Sequence, residues 1–314
     1  MNNEKIAVLI PCYNEEVTIK KVIEDFKKEL PKADIYVYNN NSKDKTYEIA
    51  SKCDAIVRNE YNQGKGNVVR RMFREIDADI YVMVDADDTY DLSSAPKMID
   101  LVLKHNADMV VGDRLSSTYF TENKRPFHNF GNSLVRFSTN HVFHGNIRDV
   151  MTGFRAFSYQ YVKSFPCLSS GFEIETEMTL HALDKKFIVK EIPIEYRDRP
   201  EGSVSKLNTV NDGMKVIKTI IKMYKDFKPR KFFWCIGIII MLLGIIIGIP
   251  VILEFVKYRY IFKIPSAILA TGLEILAMII LQCGVILDTI VKQHREDYEL
   301  NLINYETRER NNQR

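Results

Sequence analysis

Residues 79–88 read Asp-Ile-Tyr-Val-Met-Val-Asp-Ala-Asp-Asp, an apolar, β-favouring run that ends in three carboxylates, Asp85, Asp87 and Asp88. Carboxylates at that density need a counter-ion wherever a strand carries them toward an interior. Alternation along an extended backbone sets Asp85 and Asp87 on one side. Two hard oxygen ligands so placed suit Mg²⁺ or Mn²⁺, which bind through one or two carboxylates and complete their shell with water and substrate phosphates. The competing reading of this stretch is an acidic N-cap at a strand-to-loop turn.

Such a constellation needs a frame that brings separate segments to one rim. Apolar runs and helical patterns alternate through the first 112 residues. Strands are predicted over 6–10, 35–38, 55–57, 80–84 and 109–111, and helices over 15–30, 43–52, 66–76 and 93–104. Val17, Val22, Ile23 and Phe26 supply the apolar face of the first helix. This order predicts an α/β fold, Rossmann-like, with a mainly parallel sheet covered by helices on both faces. Ligands of such sheets gather beyond the carboxyl ends of the strands. The polar clusters fall there: Tyr13-Asn14-Glu15, Asn39-Asn40-Asn41-Ser42, and the acidic run itself. Gln63-Gly64-Lys65-Gly66 is not a P-loop, since no Lys-Ser/Thr follows at the required spacing. A glycine-flanked lysine at a helix start can still meet a diphosphate with its ammonium and backbone N–H groups; a plain loop-helix junction is the competing reading.

The 314 residues carry a net charge of +3, which sets up no basic field for nucleic acid. Five cysteines without a CxxC pair argue against a zinc site or a disulfide framework and fit a reducing compartment. The polar start of the chain reads as no signal peptide, so residues 1–230 are expected in the cytoplasm. Composition then changes sharply. Residues 232–253 hold no charge and are long enough to cross a hydrocarbon core of about 30 Å. A second apolar stretch, 266–290, carries Glu274 and Asp288. Lysines and arginines before the first stretch and after the second put both ends on the cytoplasmic side. The expected organisation is an α/β domain over 1–208, a juxtamembrane amphipathic helix over 209–231, a transmembrane hairpin over 232–291 and a cytoplasmic tail over 292–314, in a two-helix, multi-pass protein of the cell membrane.

Val210, Met214, Ile217, Ile221 and Tyr224 recur at helical spacing beside Lys215, Lys218, Lys222 and Lys225. That pattern suits a helix in the membrane interface, its lysines near anionic headgroups, and equally an amphipathic helix packed on the domain. Gly244-Ile-Ile-Ile-Gly248 offers a small-residue face for close approach of the two helices or of two subunits. Glu274, ionisable and inside a span, is a candidate functional residue.

Seven segments in order carry a resemblance. They are Ile10-Pro11-Cys12-Tyr13-Asn14-Glu15-Glu16, residues 39–46, Asn62-Gln63-Gly64-Lys65-Gly66, Asp85-Ala86-Asp87-Asp88, Gly112-Asp113-Arg114, residues 148–155 and residues 199–206. Over about residues 5–208 the chain resembles glycosyltransferase family 2, and within it the polyprenyl-phosphate glycosyltransferases, the group that includes dolichol-phosphate mannose synthase. The two-helix tail resembles one bacterial branch. The resemblance implies a GT-A fold over 1–208 and metal-dependent, inverting transfer of a sugar from a nucleotide diphosphate to a polyprenyl phosphate such as undecaprenyl phosphate, on the cytoplasmic leaflet. Carried over by position, Pro11, Tyr13, Glu15, Asn39, Asn40, Lys65, Asp85 and Ala86 line the nucleotide-sugar pocket, with Asn40 facing the base. Asp85 and Asp87 hold the Mg²⁺ or Mn²⁺. Arg114, Arg125, Arg155 and Ser205 serve the acceptor phosphate and diphosphate, and Asp87, Asp149, Arg199 and Lys206 are the catalytic set. Asp149 reads as an orienting residue or weak base, or as an Asp capping the next turn; Arg148 and Arg155 read alternatively as braces of their loop. Glu173, Glu175 and Glu177 read as a helix's acidic first turn or as rival bases.

The chemistry is coherent. A leaving diphosphate gains negative charge, which a divalent ion offsets. The phosphate nucleophile is already anionic and needs little base catalysis, while clustered arginines bring one anion up to another. Asn39 and Asn40 stand where many members of the family have aspartates. An amide suits uracil's N3–H and carbonyls better than guanine's donor edge, so UDP-glucose or UDP-N-acetylglucosamine is favoured over GDP-mannose. Rivals are a GDP-mannose-dependent mannosyltransferase, a processive polysaccharide synthase (whose Gln-x-x-Arg-Trp motif is absent, Trp234 being the single tryptophan) and a non-catalytic membrane scaffold. Membrane lipids, a homo-oligomer and a flippase complete the expected partners.

Overall fold

Short β-branched and aromatic runs alternate with helical segments, and the computed structural model describes them for residues 4–116, 126–200 and 209–312, with side chains described except at 126–132, 209–217 and 305–312. Ile6–Cys12 (β1), Asp34–Asn39 (β2), Ile56–Asn59 (β3) and Ile80–Met83 (β4) are joined through Ile19–Glu29 (α1), Thr46–Ser51 (α2) and Lys65–Glu75 (α3). A 3₁₀ turn, Leu92–Ser94, leads into Ala95–Leu103 (α4) and Met109–Asp113 (β5). Then follow Pro126–Phe143 (α5), Arg155–Ser158 (β6), Tyr159–Ser164 (α6), Ile174–Asp184 (α7) and Val189–Pro193 (β7).

The strands form one seven-stranded sheet in the order β3-β2-β1-β4-β6-β5-β7. All neighbours are parallel except β6, which runs antiparallel to both β4 and β5, with Arg155 opposite Met83 on one side and Val111 on the other. That reversal has a direct effect on the rim. The start of β6 lies where β4 and β5 end, so the loop over 149–154 arrives beside the acidic run and Arg114.

Alternation along β1 feeds two cores. Val8 and Ile10 pack with Phe26, Val82 and Met98 under α1 and α4, while Ala7 and Leu9 pack with Phe73, Tyr81, Phe157 and Tyr161 under α3 and α6. Phe26 and Phe157 are fully buried, each contributing roughly 1.5–3 kcal/mol of burial. The nine elements expected over the first 112 residues are all present. The first helix begins at Ile19 rather than 15, because the Glu15 carbonyl accepts the N–H groups of Thr18 and Ile19 in a separate turn. That turn leaves Val17 exposed and turns Glu15 inward.

The chain divides into two compact units, Met1–Val216 and Ile217–Arg314. Thr209–Phe227 (α8) stops before Pro229, which occupies the first turn of Pro229–Tyr258 (α9), where a missing N–H costs nothing. Ile264–Asn312 (α10) runs on without a break at 291; residues 292–312 contain neither Gly nor Pro. Both α9 and α10 are long and apolar enough to cross a membrane, and Ile246, Ile252 and Ile268 lie largely exposed along them. They pack through small residues: Gly237 against Leu281, Gly244 against Glu274 and Leu273, Gly248 against Ala270. A Cβ on Gly244 would stand 2.6 Å from Glu274 Oε1. The small-residue face is therefore used within the hairpin. Asp288 pairs with Lys292 at 3.4 Å.

Candidate active site

Two strand ends and one helix start supply the acids. Glu15 follows β1, Asp85 and Asp87 follow β4, and Glu175 comes from the first turn of α7. Two cations bind them. The Lys65 ammonium bonds Asp85 Oδ1 and, at 2.6 Å, Glu175 Oε1. Arg199 places Nη2 2.6 Å from Asp87 Oδ2 and Nη1 3.4 Å from Glu15 Oε1. Thr89 Oγ1 donates to Asp87 Oδ1 at 2.7 Å, and Thr18 Oγ1 donates to the Ala86 carbonyl at 2.6 Å, so the acidic turn is tied down on both sides.

Close backbone approach makes the Lys65 clamp possible. Gly66 N–H donates to the Ser170 carbonyl at 3.0 Å, and a Cβ on Gly66 would fall 2.1 Å from the Ser169 oxygen. Gly153 plays the same part for Asp85, whose Oδ2 lies 2.2 Å from where a Cβ would sit.

Four carboxylates thus face two cations, leaving an excess of negative charge in a buried rim. Burial, then the Asp85 carboxylate, pushes the Asp87 carboxyl above its ordinary value, with Arg199 opposing. Burial also raises Glu175, with Lys65 opposing. For Lys65 burial works against the charge, and the carboxylates of Asp85 and Glu175 outweigh it, holding the ammonium above the usual lysine range. Among the described residues no three acids, histidines or cysteines converge as a self-sufficient cage. An oxygen-only pair with surplus negative charge fits Mg²⁺ or Mn²⁺, which take one or two carboxylates together with substrate phosphate.

Beside this rim Arg114 and Asp149 form a bidentate pair, with Nε to Oδ2 at 2.7 Å and Nη2 to Oδ1 at 3.0 Å. The pair is nearly sealed from solvent, and Arg114 Nη2 also donates to the Met151 carbonyl at 2.8 Å.

The profile of glycosyl transferase family 2 matches residues 7–165, from β1 through α6. The chain belongs to glycosyl transferase family 2. It is 29% identical to glycosyltransferase AglJ of Haloferax volcanii over 93% of this chain and 96% of that one. It is 28% identical to the dolichyl-phosphate hexose transferase of the same organism over 72% of this chain and 97% of the relative. Its fold is similar to that of glucosyl-3-phosphoglycerate synthase from Mycobacterium tuberculosis, solved with Mn²⁺, UDP and phosphoglyceric acid, with a TM-score of 0.56 at 18% identity over 71% of this chain and 78% of that one. The protein is a glycosyltransferase with a GT-A-like domain.

In this family 2 enzyme the rim gathers Pro11, Tyr13, Glu15, Asn39, Asn40, Lys65, Asp85, Ala86 and Asp87, with Arg199 bound to two of the acids. Arg125, Ser205 and Lys206 lie outside the described residues. Two expectations change, at Asn40 and Arg155, and the positions of Asp149 and Asp88 are defined by their partners. Asn40 does not face a base: its amide donates to the carbonyls of Glu60 and Asn62 and accepts from Gly64 N–H and Gln63 Nε2, all within 3.2 Å. With both donors and both lone pairs spent, Asn40 closes the 60–64 loop. Arg155 is not an acceptor ligand. It is fully buried and binds the carbonyls of Thr152 and Val150 and the Thr179 hydroxyl, bracing the 149–154 loop. Asp149 is no base. Its two oxygens accept from Arg114 Nε, Nη2 and N–H and from Met151 N–H, which fills the carboxylate; it positions Arg114. Asp88, at φ +57°, turns away to a bidentate pair with Lys21, at 2.5 and 2.6 Å. Glu175 is the member whose place in the rim the sequence left open, since an acidic first turn looks the same whether or not a lysine 110 positions away reaches it.

Proposed function

We propose that the enzyme transfers a sugar, with inversion, from a nucleotide diphosphate to the phosphate of a polyprenyl lipid at the cytoplasmic face of the membrane. The observation that carries this reading is the cluster of Asp85 and Asp87 held by Lys65 and Arg199. It is an arrangement built for a phosphate-bound cation on one side and for anions on the other. The likeness to the dolichyl-phosphate hexose transferase, which spans 97% of that relative, supports the acceptor class. Two apolar helices tether the chain to the bilayer that holds such a lipid, and the basic residues flanking them favour the cytoplasmic side.

Asp85 and Asp87 are the residues that would hold Mg²⁺ or Mn²⁺, which when bound neutralises charge growing on the departing diphosphate. The protein's own cations do the complementary work. Lys65 and Arg199, each bonded to a carboxylate of the cluster, can exchange that bond for a diphosphate oxygen without travelling far. An oxygen of the lipid phosphate forms the new bond to the anomeric carbon as the bond to the diphosphate breaks. That nucleophile is ionised at neutral pH, so a saturated Asp149 is no obstacle. Arg114, fixed by Asp149, presents a preorganised guanidinium toward the acceptor side.

The favoured donor is a UDP-hexose or UDP-N-acetylhexosamine, on altered grounds. Asn40 does not pair with the base, yet the end of β2 still offers amides and no free carboxylate for guanine's donor edge. Glu60, which the loop brings near, accepts from Asn62 N–H at 2.6 Å and lies 3.7 Å from Arg71. A panel of UDP- and GDP-sugars with undecaprenyl phosphate, read as labelled glycolipid, tests donor and acceptor together. Transfer only to water, or only to a soluble acceptor, would refute the reading.

A further inference from the structure

A cleft of about 420 Å³ opens between α5 and the segment leading to Asp149. Arg136 and Asn140 line it from one turn of α5, Ser116 from the end of β5, and Asn146 and Arg148 from the opposite wall. Among the described residues that line it, none is acidic. Arg148 Nη1 has a hydroxyl partner, Ser116 Oγ at 2.9 Å. No hydrogen bond or ion pair of Arg136 occurs among the described residues. The described acids nearby are engaged: Glu191 accepts the backbone N–H groups of Arg148 and Asp149 at 2.8 and 3.0 Å, and Asp113 accepts from Ser116 Oγ and from Leu115 N–H.

Two guanidinium groups lining one cleft, with no carboxylate among its described residues, repel each other until an anion joins them. The walls continue directly into the site, since Leu115 and Arg148 adjoin Arg114 and Asp149 in the chain. One helical stripe over from Arg136, Phe137 stands 68% exposed, stacked on His141 at 6.1 Å. An anion met by arginines beside an exposed aromatic describes an amphiphile better than a free ion.

We propose that this cleft is a phosphate-binding site that receives the phosphate of the lipid acceptor, with Arg136 and Arg148 as its cations. The assignment rests on the polyprenyl-phosphate reading above and adds to it a site outside the acidic cluster. Lipid phosphate held here is brought alongside Arg114 before it meets the donor, which divides the cost of gathering two anions between two places.

The test uses the full chain in detergent or nanodiscs with Arg136→Gln, Arg148→Gln and the double variant. KM for undecaprenyl phosphate should rise about tenfold for each lost charge-assisted contact. Donor affinity, measured by titration with Mn²⁺ present, should stay within twofold, and thermal unfolding should be unchanged for Arg136→Gln, whose side chain has no partner among the described residues. Inorganic phosphate added as a competitor should raise acceptor KM in the wild type and much less in the double variant. Unchanged acceptor KM in Arg136→Gln overturns the proposal. So does an equal loss of binding to phosphatidylglycerol vesicles lacking polyprenyl phosphate, which would mean a general anionic-surface contact. If the wild type glycosylates no polyprenyl phosphate at all, the functional reading fails instead, a result distinct from either.

Discussion

Arg199 reaches back 112 positions along the chain to set its Nη2 2.6 Å from Asp87 Oδ2. The same guanidinium meets Glu15 at 3.4 Å, so one side chain joins the ends of β1 and β4. The acids of this rim are held by two cations, Lys65 and Arg199.

Removing the acid on which Arg199 rests should stop the chemistry and spare the fold. Asp87→Asn and Asp85→Asn are each expected to lower kcat by about 10²–10³, the scale of losing one preorganised electrostatic contact. Circular dichroism should match the wild type. Turnover within threefold of wild type in both variants would remove these acids from the mechanism.

Asp149→Asn separates a positioning residue from a base. Breaking one side of a buried ion pair costs about 3–5 kcal/mol, so the variant should unfold at lower temperature and show a raised acceptor KM. The acidic limb of the pH–rate profile should keep its position, because Asp149 carries no proton in the reaction. A shifted limb would restore it as a base.

Asn40→Asp should not exchange UDP for GDP. The substitution takes two donors from the carbonyls of Glu60 and Asn62 and sets a negative charge against them. Competition experiments should show weaker binding of both nucleotides, with their ratio within about twofold, and a loss of stability of about 1–3 kcal/mol. A tenfold swing toward GDP would mean that the side chain reads the base after all.

Glu75 makes stability depend on pH outside the site. Burial disfavours its charge, but hydrogen bonds from Arg71, Arg58 and Tyr38 outweigh burial and hold its pKa down at about 2. The folded value lies below the unfolded one of about 4.3. Its contribution is therefore complete above pH 4.3 and fades as pH falls toward 2. Discounted for partial exposure, that is about 1–2 kcal/mol. Urea midpoints of the wild type should fall across this window more steeply than those of Glu75→Gln; parallel curves would contradict the assignment.

In the hairpin, Gly244→Leu would drive a side chain into Glu274. The variant should lose its melting transition in detergent or shift it down by several degrees, while Gly272→Leu, with nothing within 4 Å of its Cβ position, should not.

The alternation of strand and helix over the first 112 residues was legible because hydrophobic period is a local property, and so was the gathering of polar clusters at one rim. The antiparallel insertion of β6 was not, since nothing within residues 155–158 marks strand direction. The roles that changed are those decided by distant partners. Asn40 is saturated by a loop 20 to 24 positions on, Asp149 by a guanidinium 35 positions back, and Glu175 is drawn into the rim by Lys65. A motif names the residue type; which of its lone pairs stay open depends on the fold. Arg155 shows the same limit, being an arginine in a motif of anion binding that bonds the protein's own carbonyls, a hydroxyl and the Met109 thioether.

The most direct measurement is formation of labelled undecaprenyl-phosphate sugar by purified wild-type protein, with Mg²⁺ or Mn²⁺ and then with excess chelator. Product should appear with the ion, vanish with the chelator, return when the ion is restored, and stay absent in Asp85→Asn/Asp87→Asn under every condition. Full turnover in chelator, or in that double variant, would contradict an ion held by these acids beside the diphosphate.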